Sequence, residues 1–395
     1  MNQMADFNQP PLPFENSFDD SQPEENSQVN EIAELSKKGY ALLKENQISE
    51  AETFFKQIVD QDPENNYALV GLGDAARKRN AFREAVEYYK KCLIYHPGNN
   101  YALFGLADCY KALNQYQKAI EIWEQYLLHD NKNITVLTRI ADAYRKVREF
   151  RKSKAIYLRV LEMEADNPYA LIGLGHLHYD FKEYRDALHY WARMVQIQGE
   201  NVDIRVLTSI GNCYRKLKQF DMGIPYFEKV LQRDPRNFYA LFGLADCYRG
   251  INKPAESLRY WNLILDIDPK NKVIITRAGD AYRNMGDYDT ALEYYQKALD
   301  IEFDLYAVMG KATVARLQGK INDAIESLKK LIEYDLKNYR LYIELAQCYL
   351  AINDKYKAIE VLMDFQKQGI RNAHVQELIN RINSPNSFDS DDRDL

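Results

Sequence analysis

Tyr101–Tyr110 reads YALFGLADCY, and the same ten residues return unchanged at Tyr239–Tyr248. Variants of this segment recur along most of the chain. Aligned on the small residue three before the final aromatic, they fall at Gly39, Gly73, Ala107, Ala141, Gly175, Gly211, Ala245, Gly279, Ala312 and Ala346. The step is 34 residues, apart from one of 36 and one of 33. A second small residue follows each by twelve: Ala51, Ala85, Ala119, Ser153, Ala187, Gly223, Ser257, Ala291, Ala324 and Ala358. A fixed period of this length marks a stacked array of one supersecondary unit.

The residue types explain the period. Two antiparallel helices of a hairpin cross where side chains must be small. A leucine there would overpack the contact, at roughly 1–3 kcal/mol. Large residues fill the rest of the seam. Leu69, Leu103, Leu171 and Leu241 lie four before the first small residue, and Tyr89, Trp123, Tyr157 and Trp261 four after the second. Spacings of three and four share one helical face.

On these residues the chain resembles the tetratricopeptide repeat family. Leu103, Leu106, Ala107, Tyr110, Ala119 and Trp123 match its pattern with ordinary substitutions, and the closing proline appears as Pro63, Pro97, Pro235 and Pro269. The resemblance covers about residues 31–372. It implies an all-α solenoid: a right-handed superhelix of about ten helix pairs, with a concave groove lined by the first helices. It also implies a non-enzymatic scaffold that binds protein segments in that groove. Two other readings remain open. One is a module that self-associates through its convex face or its ends. The other is an accessory subunit that recruits substrates to an enzyme.

Composition bounds the flanks. Residues 1–30 hold six acids, four prolines and no Lys or Arg, and residues 384–395 hold four aspartates and one arginine. Both are expected to be disordered tails. The whole chain is at −6, which argues against nucleic acid as the main ligand. Residues 373–383 alternate Val375, Leu378, Ile379 and Ile382 with polar residues, as a helix capping an open solenoid end requires. The 36-residue step, together with Pro225, raises the expectation of a hinge near 198–225. No run approaches 18 apolar residues, and no apolar stretch follows a basic start, so the chain is expected to be cytoplasmic, without direct membrane insertion. Cys109, Cys213, Cys247 and Cys348 share one repeat place, which marks them as packing residues rather than a disulfide or zinc framework.

The family places two ladders on or near the groove. One runs through Asp74, Asp108, Asp142, Asn212, Asp246 and Asp280, and the other through Arg77, Lys111, Arg145, Arg215, Arg249 and Arg283. Residues three apart on a helix also pair with each other, so self-neutralising pairs are the competing reading. A finer period of two repeats overlies this. Tyr101, Tyr169, Tyr239 and Tyr306 open helices with Gly105, Gly173, Gly243 and Gly310, while Thr138-Arg139, Thr208-Ser209 and Thr276-Arg277 mark the others. Phe104, Ile172, Phe242 and Met309 adjoin the glycines, so small apolar pockets are expected there. Arg139 and Arg277 would add guanidinium groups.

The family's grip on a terminal carboxylate is not expected, because the lysine place reads Ser36, Val70, Phe104, Thr138 and Ile172. His176, His178 and His189 gather near Asp180, but helical phase turns the first two apart. No phosphate loop or nucleophile motif appears, so no enzyme, cofactor or metal is expected. Asn16-Ser17-Phe18-Asp19 recurs as Asn386-Ser387-Phe388-Asp389, so each tail carries an acidic-aromatic motif able to dock in the groove.

Overall fold

The computed structural model describes residues 25–384, with side chains from Asn30 onward. Apart from Glu25–Asn30, the expected tails lie outside the described residues, with Phe18 and Phe388 among them. The first helix begins at Glu25, earlier than the composition implied.

The described chain is helical throughout and falls into two compact units, divided between Val202 and Asp203. In unit 1, α1 (Glu25–Lys44) pairs with α2 (Ile48–Gln61), α3 (Asn66–Lys78) with α4 (Phe82–Tyr95), and α5 (Asn100–Ala112) with α6 (Tyr116–His129). Then α7 (Ile134–Lys146) pairs with α8 (Phe150–Met163), and α9 (Pro168–Asp180) with α10 (Tyr184–Gln198). In unit 2 the pairs are α11 (Ile204–Lys216) with α12 (Phe220–Arg233), α13 (Phe238–Gly250) with α14 (Pro254–Ile267), and α15 (Lys272–Asn284) with α16 (Tyr288–Ile301). They continue with α17 (Leu305–Leu317) and α18 (Ile321–Tyr334), then α19 (Tyr339–Ala351) and α20 (Lys355–Lys367). Finally α21 (Ala373–Asn383) lies against α19 and α20.

Within each unit the small residues are buried where the two helices of a pair meet, as Ala107 and Ala119, or Ala245 and Ser257. Where serine holds the second place, its hydroxyl donates to the carbonyl of the first, as Ser257 to Ala245 at 2.8 Å and Ser153 to Ala141 at 2.7 Å. The polar atom is thereby satisfied in the core.

Caps and turns set the boundaries. Asn99, Asn133 and Asn237 each accept a hydrogen bond from the backbone N–H three residues on, which starts the first helix of the repeat. The turn inside each pair needs one residue in the left-handed region. Asn80, Asn114 and Gly286 supply it at little cost, whereas Arg148, Lys182 and Lys218 adopt it at φ of 67°, 65° and 58°.

The 36-residue step is a short 3₁₀ turn, Gly199–Asn201, at the end of unit 1. Helix α12 runs through Pro225 to Arg233 without a break. Pro254 sits at the opening of α14, where its missing N–H costs nothing. All five cysteines are buried and unpaired, and burial pushes the Cys109 thiol up to about 12.

Candidate functional site: the charged face of the first helices

Successive first helices touch within each unit, α3 with α5, α7 with α9, α11 with α13, α15 with α17 and α17 with α19. This brings the predicted ladders side by side. In unit 1 Arg77 bridges Asp74 at 3.2 Å and Asp108 at 3.5 Å, and Arg139 reaches the other oxygen of Asp108 at 2.6 Å. Lys111 lies 3.9 Å from Asp142, which Arg145 meets at 2.7 Å while also holding Asp180. Acid and base alternate, and the charges are matched. Burial opposes ionisation of Asp142, yet Arg145 and Lys111 outweigh it and hold the carboxyl below its usual range.

Unit 2 departs from this balance. Asn212 holds the repeat place that is aspartate at Asp74, Asp108, Asp142, Asp246 and Asp280, so Arg215 lacks a carboxylate three residues back. It donates instead to Asp246 at 2.8 Å. Arg249 meets the same carboxylate at 2.6 Å, and Arg277 lies 3.8 Å away. Three guanidinium groups thus converge on one buried aspartate. Burial lowers the affinity of Arg277 for its proton, and Arg249 and Arg215 lower it further against the pull of Asp246 and Asp280. The Nε atoms of Arg215 and Arg277 are buried without a hydrogen-bond partner. Both guanidinium groups lie 5.6 Å from the Phe242 ring centre, so Phe242 is covered by cations.

Beside this cluster a cleft of about 700 Å³ opens between α15, α17 and α19. Its walls include Arg277, Asp280 and Arg283 from the expected set. Asp280 pairs with Arg283 at 3.0 Å and accepts from the Tyr295 hydroxyl at 2.8 Å. The rim adds Phe303, Tyr306, Tyr334 and Arg340, with Met309 and Thr313 below. Phe303, Tyr306 and Tyr334 are exposed, and Arg340 lies 5.8 Å from the Tyr306 ring. Tyr306 and Met309 were visible in the repeat alignment. Arg340 occupies the same repeat place as Tyr101, Tyr169, Tyr239 and Tyr306, and the alignment alone locates it.

The other expected residues divide. Tyr169 and Tyr239 are exposed, and Tyr101 is partly buried. Phe104 is buried beneath the Arg139 guanidinium, 4.9 Å from its ring centre, and offers no surface. The pockets expected beside the glycines are filled. A Cβ at Gly105, Gly173, Gly243 or Gly310 would strike Tyr89, Tyr157, Phe227 or Tyr295 of the preceding repeat, at 2.3 or 2.4 Å. The glycines admit packing rings rather than ligands.

The histidines take separate partners. His178 is buried, stacks on Tyr190 and sets Nδ1 2.6 Å from Glu183. His176 meets the edge of Trp191, and burial, then the Arg145 guanidinium, push it down to about 4.

No curated protein matches the chain significantly. Among solved structures, YrrB, described as a TPR protein with an unusual peptide-binding site, is 19% identical over 48% of this chain and 97% of its own, with a TM-score of 0.43. The pilF protein of Pseudomonas aeruginosa is 15% identical over 54% of this chain and 96% of its own, at 0.46. Yeast Tom70 is 15% identical over 89% and 94%, at 0.38. Sequence profiles of the tetratricopeptide repeat match residues 36–93, 76–139, 138–201, 204–237, 276–304 and 315–382. Profile matches over most of the described chain, and the helix pairs that carry them, identify it as a member of the tetratricopeptide repeat family.

Proposed function

We propose that this chain is a non-enzymatic, cytoplasmic protein-interaction scaffold that binds extended protein segments along its first helices, with the main contact in unit 2. Membership of the repeat family supports the coarser part, a scaffold with protein partners, because stacked repeats create extended binding surfaces. The observation that carries the finer part is the convergence of Arg215, Arg249 and Arg277 on Asp246. One carboxylate leaves this partly buried cluster under-neutralised, and a carboxylate on an incoming segment completes it with charge-assisted hydrogen bonds. The aromatic cleft alongside supplies apolar contact. Buried, unpaired cysteines suit a reducing compartment. No helix among the described residues is long and apolar enough to cross a membrane.

A random peptide library displayed against the intact chain tests this reading. Selected peptides should be rich in Asp and Glu, and Arg249→Glu with Arg277→Glu should abolish their binding. A library that yields no peptide, or peptides indifferent to the double change, overturns it. Exposed Ile94 and Leu128 at matching places on α4 and α6 favour a second reading, self-association through the second helices. Sedimentation of the chain against Ile94→Lys with Leu128→Lys distinguishes the two.

A further inference from the structure

The cleft between α15, α17 and α19 has a definite chemistry. Its lining is aromatic at Tyr306 and Phe303 and apolar at Met309, and its four cations, Lys272, Arg277, Arg283 and Arg340, outnumber its three carboxylates, Asp280, Asp304 and Glu344. A volume of about 700 Å³ accommodates a ring together with a few residues of extended backbone. The matching ligand is a phenyl ring set among carboxylates.

The chain carries such a segment. Residues 386–392 read NSFDSDD and lie outside the described residues. They follow directly from α21. The His374 and Tyr339 rings stack 5.9 Å apart, so α21 and α19 start side by side, and Val375, Leu378, Ile379 and Ile382 keep α21 in the same core as Leu341, Leu345 and Cys348 along its length. The chain therefore leaves α21 near the C-terminal end of α19. From there Arg340 lies about 16 Å back along α19 at 1.5 Å per residue, and one helix spacing of about 10 Å to the side. Nine residues, from Asn383 to Asp392, span about 30 Å when extended. Phe388, five residues out, reaches about 17 Å and comes to the near side of the cleft, where Glu344 and Met309 line it. Asp391 and Asp392 lie within reach of Arg340.

We propose that the C-terminal segment Phe388–Asp392 occupies this cleft in its own chain, with Phe388 among the aromatic residues and the aspartates towards Arg340. The tail is then an intramolecular competitor of the segments that the groove binds. This rests on the groove reading above and names the occupant of the same site. Tethering raises the effective concentration of the tail to the millimolar range, so even weak contacts keep the cleft filled until a tighter segment displaces it.

The test uses the full chain with the photo-crosslinker p-benzoylphenylalanine in place of Tyr306. Irradiation and peptide mapping should join that position to residues 385–395 of the same molecule, and mixing with isotope-labelled chain should show no exchange. Phe388→Ala, combined with Asp389, Asp391 and Asp392→Asn, should remove the adduct, and high salt should reduce it. In the same variant the library-selected peptides should bind several-fold more tightly. An adduct to residues 1–24, an adduct between molecules, or no adduct overturns the proposal. If no adduct forms while selected peptides still bind through Arg277, the groove reading stands and only the tail assignment fails. If neither is seen, both fail.

Discussion

A Cβ on Gly105 would lie 2.3 Å from Cζ of Tyr89, so the ring of one repeat fills the space that the next repeat leaves without a side chain. The Tyr89 hydroxyl then donates to Asp74 at 2.7 Å, tying the seam to the charged ladder. The same arrangement joins Tyr157 to Gly173, Phe227 to Gly243 and Tyr295 to Gly310. Where the second helix carries Trp261 instead, the next first helix offers Arg277, whose guanidinium lies 5.7 Å from the indole. The two-repeat period thus has a packing cause.

Gly105→Ala should lower stability by roughly 1–3 kcal/mol, because a fully buried ring has no room to retreat. The urea midpoint should fall, with the loss confined to unit 1 by hydrogen exchange. An unchanged midpoint would contradict the ring-to-glycine contact.

Lys182 adopts φ of 65° in an exposed turn, where five other repeats carry Asn and two carry Gly in similar geometry. Lys182→Gly should relieve strain and raise stability by about 1 kcal/mol. The same change at Lys218 should act in the same direction in unit 2. A lower thermal midpoint in both would show that the strain is absent.

Asn212→Asp should supply Arg215 with the carboxylate it lacks three residues back. Acidic peptides selected on the wild type should then bind several-fold more weakly, while the urea midpoint stays nearly constant. Fluorescence polarisation with one labelled peptide reads the first quantity. Unaltered affinity would separate Arg215 from the binding site.

His176 is pushed from about 6.5 to about 4 in the folded chain, so the folded state binds fewer protons than the unfolded state across that window. Its contribution is complete above about pH 6.5 and is lost as pH falls towards about 4. The urea midpoint should decline over this range, and His176→Gln should flatten the decline. An equal slope in both proteins would assign the acid sensitivity to other groups.

The array was legible in residue order alone. Small residues twelve apart, with large ones at spacings of three and four, permit one arrangement of paired helices, because each repeat buries its apolar face only against its neighbours. The capping helix at Val375–Ile382 was legible for the same reason. The charged places were legible too, since Asp74, Asp108 and Asp246 hold one register, but their partners were not. A residue such as Asp108 pairs across to Arg77 and Arg139 on adjacent repeats, and only the stacking of first helices sets those distances. The glycines of the two-repeat period read as ligand pockets in sequence, because nothing local reveals the ring that enters from 15 or 16 residues earlier. The excess of arginine over carboxylate at Asp246 likewise needed three helices in place. Local periodicity dictates what each helix buries, whereas the fit between neighbouring helices decides which charges and cavities are left for a partner.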